Sequence, residues 1–385
     1  MQRNVIVTIP VNILLFSFMV INFPLSVNAF ELDVSGYSTL LGAYTNAKND
    51  NTYEHDYADK YVNFTHQSRA GVQFNSKINE NFEFSLTMLM EGATNYRVHA
   101  DWFYATYAAN EDLHFRFGRL KVPFFMVSNY IDIGHAYPWV TPPQEVYSTN
   151  LINSADGIEL VYDTTTSGGT NFLLELYFGT SRTEDFLSPA VIDDTNPNNP
   201  ATGKNLNKGS KIFFDADNMV GFEASVSTGS VTFRAGYYQA VIDAIEFAIT
   251  DEDTSIASIG MIIDWHGLVV YTEYINRDSS EKLDVLFADQ KAGYATLGYR
   301  FSHVLPYMTF AKIDGGQKES PHSLRQSSIG VGMRYEINDS TDVKFEVINV
   351  KPTSNEGDVG AYGLFDYKTN GEEAKIYAVS LDILF

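Results

Sequence analysis

Large apolar residues recur at every second position along most of this chain. Residues 82–91 place Phe82, Phe84, Leu86, Met88 and Met90 on one side and Glu83, Ser85, Thr87, Leu89 and Glu91 on the other. The same period runs through Val231, Phe233, Ala235 and Tyr237, through Ala295, Leu297, Tyr299 and Phe301, and through Ile329, Val331, Met333 and Tyr335. Val62, Phe64, Ala70, Val72 and Phe74 share one parity, and the chain closes on Tyr377, Val379, Leu381, Ile383 and Phe385. A period of two predicts strands whose two faces meet different surroundings. The residues between are Arg, Glu, Gln, Thr, Ser and Gly, so one face is wet.

Connections follow a rhythm. Short ones fall at Ser76–Asn81, Ala109–Asp112, Thr164–Thr170, Ser227–Gly229, His266–Gly267, Ser302–His303 and Ile337–Ser340, rich in the Asn, Asp, Gly and Ser that tight turns require. Mostly longer ones alternate with them: Asn46–Lys60, Gly92–Arg97, Pro123–Ser154, Thr180–Ser210, Val241–Asp253, Asp278–Asp289, Asp314–Arg325 and Lys351–Glu373. These divide the chain into about sixteen strands, with strand 6 expected at Gly157–Asp163 and strand 13 at Leu305–Lys312. Almost no helical pattern exists to cover the apolar face. A lipid-facing exterior around an aqueous lumen resolves this, because a closed sheet satisfies its own backbone in hydrocarbon. The expected fold is all-β: a transmembrane antiparallel β-barrel with short periplasmic turns and long extracellular loops. Asp193–Asn207, rich in Asn, Asp and Pro, reads as the tip of a surface loop.

The N-terminal segment points to export. Arg3 precedes an apolar run over Val5–Val20, and Val27-Asn28-Ala29 fits a small-x-small cleavage rule. A signal peptide is expected over residues 1–29, with the barrel domain over 30–385. Pro10 and Pro24 bracket the run, which is short for a helical span of about 20 residues. The chain has no Cys, which excludes a lipoprotein, a disulfide framework and thiolate chemistry. Beyond the signal, 25 Lys and Arg stand against 48 Asp and Glu, which argues against nucleic acid as a partner. The 27 Phe and 24 Tyr suit aromatic girdles at two membrane interfaces.

The third long connection is unlike a surface tip. From Pro123 to Tyr147 it is aromatic and Pro-rich, and its only charges are Asp132 and Glu145, with His135 between. An apolar loop of this length requires something to pack against, and the lumen wall provides it. The terminal Phe385, this loop, Arg69-Ala70-Gly71 on strand 2 and Gly118-Arg119 before the loop together resemble the trimeric, sixteen-stranded Gram-negative porins. That resemblance implies a third loop folded into the lumen, a homotrimer, and Arg69 and Arg119 at the constriction. It also implies contact with outer-membrane lipid and lipopolysaccharide, and reading of Phe385 by the barrel-assembly machinery. The chain departs from the enteric general porins in lacking Pro-Glu-Phe-Gly-Gly in the loop and an Arg on strand 6.

By parity the lumen should show Arg69, Arg116, Arg234, Arg300, Arg334 and Lys344, faced by Glu83, Glu91, Glu175, Glu223, Glu273, Glu346 and Asp382. Arg119 shares the parity of Phe115 and Phe117, so a bulge at Gly118 is needed to turn it inward. The candidate constriction is therefore Arg69, Arg116, Arg119, Asp132, His135, Glu145, Arg234, Arg300 and Arg334, giving a transverse field across a water-filled neck. For any single Arg outside the neck, a wall ion pair is the competing reading.

No enzyme, cofactor or metal motif stands out. Asp251-Glu252-Asp253 and Asp215-Ala216-Asp217-Asn218 lack calcium-loop spacing, and the eight His lack zinc-ligand spacing. Ser68 and His66 share a face but have no placed acid or oxyanion donor. The expected function is passive diffusion of small hydrophilic solutes and ions across the outer membrane. The alternatives are a solute-specific pore for anions or organic acids, and a surface adhesion or phage-receptor barrel with a closed lumen.

Overall fold

The computed structural model describes residues 31–48, 52–53, 57–148, 150, 152–187, 211–247, 249–285, 289–315, 324–353, 363–365 and 371–385. The expected signal peptide and the Asp193–Asn207 tip lie outside them. The strands are β1 (Glu31–Thr45), β2 (Arg69–Lys77), β3 (Phe82–Glu91), β4 (His99–Ala108), β5 (Leu113–Lys121), β6 (Ser154–Thr165), β7 (Thr170–Leu187) and β8 (Lys211–Thr228). They continue as β9 (Val231–Ala244), β10 (Ile249–Trp265), β11 (Leu268–Ser279), β12 (Gln290–Tyr299), β13 (Val304–Gly315), β14 (Arg325–Asn338), β15 (Thr341–Pro352) and β16 (Ala374–Leu384). Each pairs with its sequence neighbours, and the sheet closes on itself. Closure runs antiparallel from Tyr37↔Leu384 to Thr45↔Ile376. Below it, Gly36 and Phe385 exchange backbone bonds of 2.7 and 3.0 Å. Closing the sheet leaves no unpaired edge in the membrane.

Local chemistry sets the short-turn rim. His266 and Gly267 both take positive φ, 49° and 90°, as a two-residue hairpin between β10 and β11 demands. The Asn110 side chain accepts from the backbone N–H of Asp112 and Leu113, both at 2.9 Å. The outer face is apolar on nearly every strand, with Phe117, Ile158, Phe178, Leu297, Val331 and Phe345 among its exposed residues. Continuous apolar exposure on this scale needs lipid, not water, around it. Among the described residues no helix is long and apolar enough to cross a membrane.

The luminal wall shows a repeated pairing. Tyr37 stands directly across from Gly71, Tyr238 from Gly221, and Tyr307 from Gly332. In each pair the phenol ring occupies the space that a Cβ on the glycine would take. The rings therefore hug the wall instead of projecting into the bore.

Four boundaries differ from the sequence expectation, the first being β7, which runs on to Leu187 through the start of the expected Thr180–Ser210 connection. β2 begins at Arg69, so Val62 and Phe64 lie in the preceding loop. The cause is Ser68, whose hydroxyl accepts from Leu41 N–H at 3.0 Å and donates to Phe64 O at 2.5 Å. A side chain thus takes the place of the ladder, and pairing with β1 resumes only as an isolated bridge between Ala43 and Asn63. The β9–β10 connection is short, because β9 runs on to Ala244 and β10 starts at Ile249. An irregularity between Ile249 and Glu252 absorbs the extra residues, with Asp251 at φ 55°. Finally, β12 ends at Tyr299, which leaves Arg300 and Phe301 in the turn.

Candidate functional site

The segment between β5 and β6 runs through the lumen. Val122, Phe124, Phe125, Met126, Val127, Trp139, Val140 and Val146 are all buried. The segment carries Pro123, Pro138, Pro142 and Pro143, each of which lacks a backbone donor that burial would otherwise orphan. Wall side chains satisfy many of the remaining backbone groups. Glu273 Oε1 accepts from Met126 N–H at 2.7 Å, and Ser258 Oγ donates to Phe124 O at 2.9 Å. Arg234 donates to Met126 O at 2.9 Å and to Pro123 O at 2.7 Å, while Lys344 donates to Gly134 O at 2.5 Å.

Aromatic packing continues the attachment. Phe124 meets Tyr238 edge-on at 4.9 Å between centroids. Trp139 meets Tyr271 at 4.9 Å and Tyr294 at 5.4 Å, and its Nε1–H reaches Thr296 Oγ1 at 2.9 Å. Tyr147, in the short helix α1 (Gln144–Tyr147), donates to Glu273 Oε2 at 2.8 Å. From the outer side, Tyr53, Tyr57 and Phe365 of two other loops share a cluster with Val140.

Between its anchors the loop crosses the bore. Met126 is held by β9 and β11, whereas Asp132 is bonded to Arg69 on β2 at 2.9 Å. Asp132 also pairs with Lys121, and Lys121 in turn pairs with Asp101 at 2.9 Å. Burial pushes the Asp132 carboxyl up, but Lys121 and Arg69 outweigh it and hold the group below its ordinary range. Further along, His135 Nδ1 lies 2.6 Å from Asp342 Oδ2, a carboxylate that Arg334 also contacts at 3.0 Å. Burial, then Arg334 and Lys344, hold the imidazole below its ordinary range. Glu145 is pushed up by burial, opposed by hydrogen bonds from Ser328 and Gln326, the latter at 2.8 Å.

The nine expected constriction residues separate into four groups. Arg69, Arg234 and Arg334 contact the loop, as Asp132 and His135 do from the loop's side. Glu145 is on the loop but faces Gln326 beneath the outer-loop cluster, so it supplies no charge to a neck. Arg116 and Arg300 pair within the wall. Arg116 bonds Glu159 at 2.9 Å, and Arg300 makes a two-pronged contact with Asp264 at 3.1 and 3.0 Å beside the short-turn rim. Arg119 stays in continuous register opposite Phe103 and Asp156. Gly118 does adopt φ 135°, but the ladder has no bulge there, and Lys121 is the β5 cation that meets Asp132.

Lys121, Asp101, Asp342 and Trp139 were absent from the expected set. Asp101 is the residue that the β3–β4 ladder skips between Thr87↔Trp102 and Met88↔Ala100. A bulge of this kind re-aims a side chain and leaves no trace in alternation. Asp342 has luminal parity with Lys344 and could have been found by that signal. Among the described residues no cluster of three or more His, Cys, Asp or Glu could hold a metal ion.

A family model described as Gram-negative porin matches residues 18–355. No curated protein matches the chain. Among solved structures, an anion-selective porin from Comamonas acidovorans is 13% identical, with 92% of this chain and 100% of that chain covered and a TM-score of 0.58. OmpT of Vibrio cholerae, an outer membrane protein folded in vitro, is 13% identical over 94% and 99% of the two chains, with a TM-score of 0.57. Salmonella typhi OmpF in complex with daunomycin is 14% identical over 92% and 97%, with a TM-score of 0.56. At these identities the likeness is one of fold.

Proposed function

This chain belongs to the Gram-negative porin family and resides in the bacterial outer membrane, and from that premise we propose that it is a passive channel for small hydrophilic solutes and ions. The observation that carries the reading is the inward loop, which is bonded to the wall residue by residue inside a closed sixteen-stranded barrel. A barrel of that strand number encloses more space than wall side chains fill. In this reading the loop sets the neck, and Arg69, Arg234 and Arg334 act by holding it. Each of these three guanidinium groups already has a carboxylate partner. An anion or organic-acid specificity resting on free luminal Arg is therefore the weaker alternative. Export through residues 1–29, recognition of Phe385 by the assembly machinery, and contact with lipopolysaccharide belong to the same proposal.

A homotrimer also belongs to it. Tyr61, Val62 and Phe64 of the first long loop and Tyr96 and Val98 of the second are all exposed. The two loops adjoin, since Gly92 N–H donates to Ser68 O at 2.9 Å. Phe64 lies over Gly42 of β1 and Asn63 bridges to Ala43, so these loop residues extend the apolar outer face of the wall, where exposed apolar residues suit a contact between copies.

Reconstitution in a planar bilayer tests both parts. The expected result is ohmic conductance in groups of three equal steps, with no anion preference in a KCl gradient. Absence of conductance from correctly folded protein would favour the closed-lumen, surface-receptor reading instead. Single, ungrouped steps would remove the trimer but keep the channel.

A further inference from the structure

The outer wall divides by charge at its long-loop end. Five consecutive strands carry a basic residue there: Lys291 on β12, Lys312 on β13, Arg325 on β14, Lys351 on β15 and Lys375 on β16. Each stands beside a buried neighbour, such as Gln290, Ala311, Gln326, Val350 or Ala374, so all five point away from the lumen. The corresponding ends of β8, β9 and β10 hold Asp215, Asp217, Asp243 and Asp253 instead. In a chain with 26 Lys and Arg against 48 Asp and Glu, the basic arc opposes the general field. Arg325 pairs with Asp314 at 3.0 Å, and Lys351 with Glu373 at 3.1 Å in an exposed and therefore weak pair. Lys312 and Lys375 form no ion pair with the described residues.

An apolar groove lies directly beneath. It holds about 620 Å³ and is lined by Tyr44, Val331, Met333, Phe345, Val347 and Tyr377. Val331 stands across from Val347, Val347 from Tyr377 and Tyr377 from Tyr44, so one row of side chains crosses four strands. On the same face Lys375 is the next residue out from Tyr377, and Lys351 is the second out from Val347. The two lysines are diagonal neighbours, because Asn349 stands across from Lys375. The groove meets the proposed contact between copies at Val62.

We propose that this face binds a phosphorylated glycolipid of the outer leaflet, with phosphate on Lys351 and Lys375 and an acyl chain in the groove, without a bridging divalent cation. The inference rests on the outer-membrane placement and gives the lipid contact proposed above a site; it does not depend on conduction. The long loops mark the outer side, and a charge on the lipid face costs little near the interface. Ammonium groups at that level attract lipid phosphate. The groove is what separates a lipid from a free anion, since only a lipid has a chain to bury there.

Native mass spectrometry of the full-length protein in neutral detergent with EDTA decides the matter. Bisphosphoryl lipid A should be retained, and the same lipid stripped of its phosphates several-fold less. Inorganic pyrophosphate should not displace it, because it cannot fill the groove. Lys351→Gln with Lys375→Gln should cut retention several-fold, and Val347→Trp, which fills the groove, should do the same. Both variants should keep the heat-modifiable gel mobility of the barrel. Should the double variant fail to fold, Lys375→Gln alone should lower retention in the same direction. Equal retention of the two lipids, displacement by pyrophosphate, retention lost with EDTA, or retention untouched by the variants would overturn the site. A changed oligomeric state in Val347→Trp with lipid retention intact would also overturn it, and would give the groove to a second copy. Conductance of the parent in a planar bilayer is read separately, so failure of the channel reading is distinguishable from failure of this site.

Discussion

Replacing Asp132 by alanine should loosen the inward loop more than any other single change of charge. The Asp132 carboxylate stands between two cations, Arg69 at 2.9 Å and Lys121, and all three are buried. Lys121 keeps Asp101 at 2.9 Å, so the change leaves Arg69 as the uncompensated charge. Removing one partner of a buried pair costs about 3–5 kcal/mol, because the remaining charge cannot return to water. The cost falls on docking of the loop, since the strands on either side keep their ladders. Single-channel records should show higher and noisier conductance than the parent. The double variant Asp132→Ala with Arg69→Ala should lose less than the two single changes together, as residues sharing one contact do. Parent-like noise and an unchanged unfolding temperature in Asp132→Ala would show that this junction does not hold the loop.

Trp139→Ala should be the most damaging apolar substitution in the loop. Trp139 is 0% exposed and wedged between Tyr271 and Tyr294. Truncating a buried Trp typically costs about 3–5 kcal/mol, through lost transfer energy and the cavity left behind. Trp139→Phe should cost much less. It retains most of the apolar contact, and the hydroxyls of Thr296 and Thr309, already 2.8 Å apart, can serve one another when the indole N–H is gone. The measurement is limited proteolysis in detergent, with cleavage expected within residues 122–153 for Trp139→Ala alone. Barrel closure should survive, because Trp139 touches the wall without belonging to any ladder. Loss of the folded gel mobility in both variants would mean that the loop and the barrel fold as one unit.

The barrel was legible in the chain for a simple reason. Alternation reports which face of a strand meets lipid, and turn residues report where strands end, so strand number and pairing order follow from local signals. Phe82–Glu91 was read to its residue limits. Legibility failed wherever a side chain replaced a backbone partner. Ser68 ended β2 early, and nothing in its parity distinguished it from a strand residue. The site failed for a related reason. Arg parity shows which charges enter the lumen but not which carboxylates meet them, so a free charge ladder was expected where Arg69, Arg234 and Arg334 are each paired. Parity groups Arg300 with the constriction charges because parity ignores height along the barrel, and β12 ends one residue before it. Asp101 comes from a bulge in β4, which no periodic reading can foresee, and Lys121 ends β5 in regular register with a parity that reads as lipid-facing.

The phenol rings lying over Gly71, Gly221 and Gly332 make the bore adjustable from behind. Those glycines never meet a permeating solute, yet a methyl group at any of them would occupy the space of the ring opposite. At Gly221 the displaced ring is Tyr238, which already packs on Phe124 at 4.9 Å, so a substitution in the wall would be transmitted to the loop. Pore size in this protein is thus written partly in residues with no side chain, and variation there would retune permeability without changing a single group that a solute can touch.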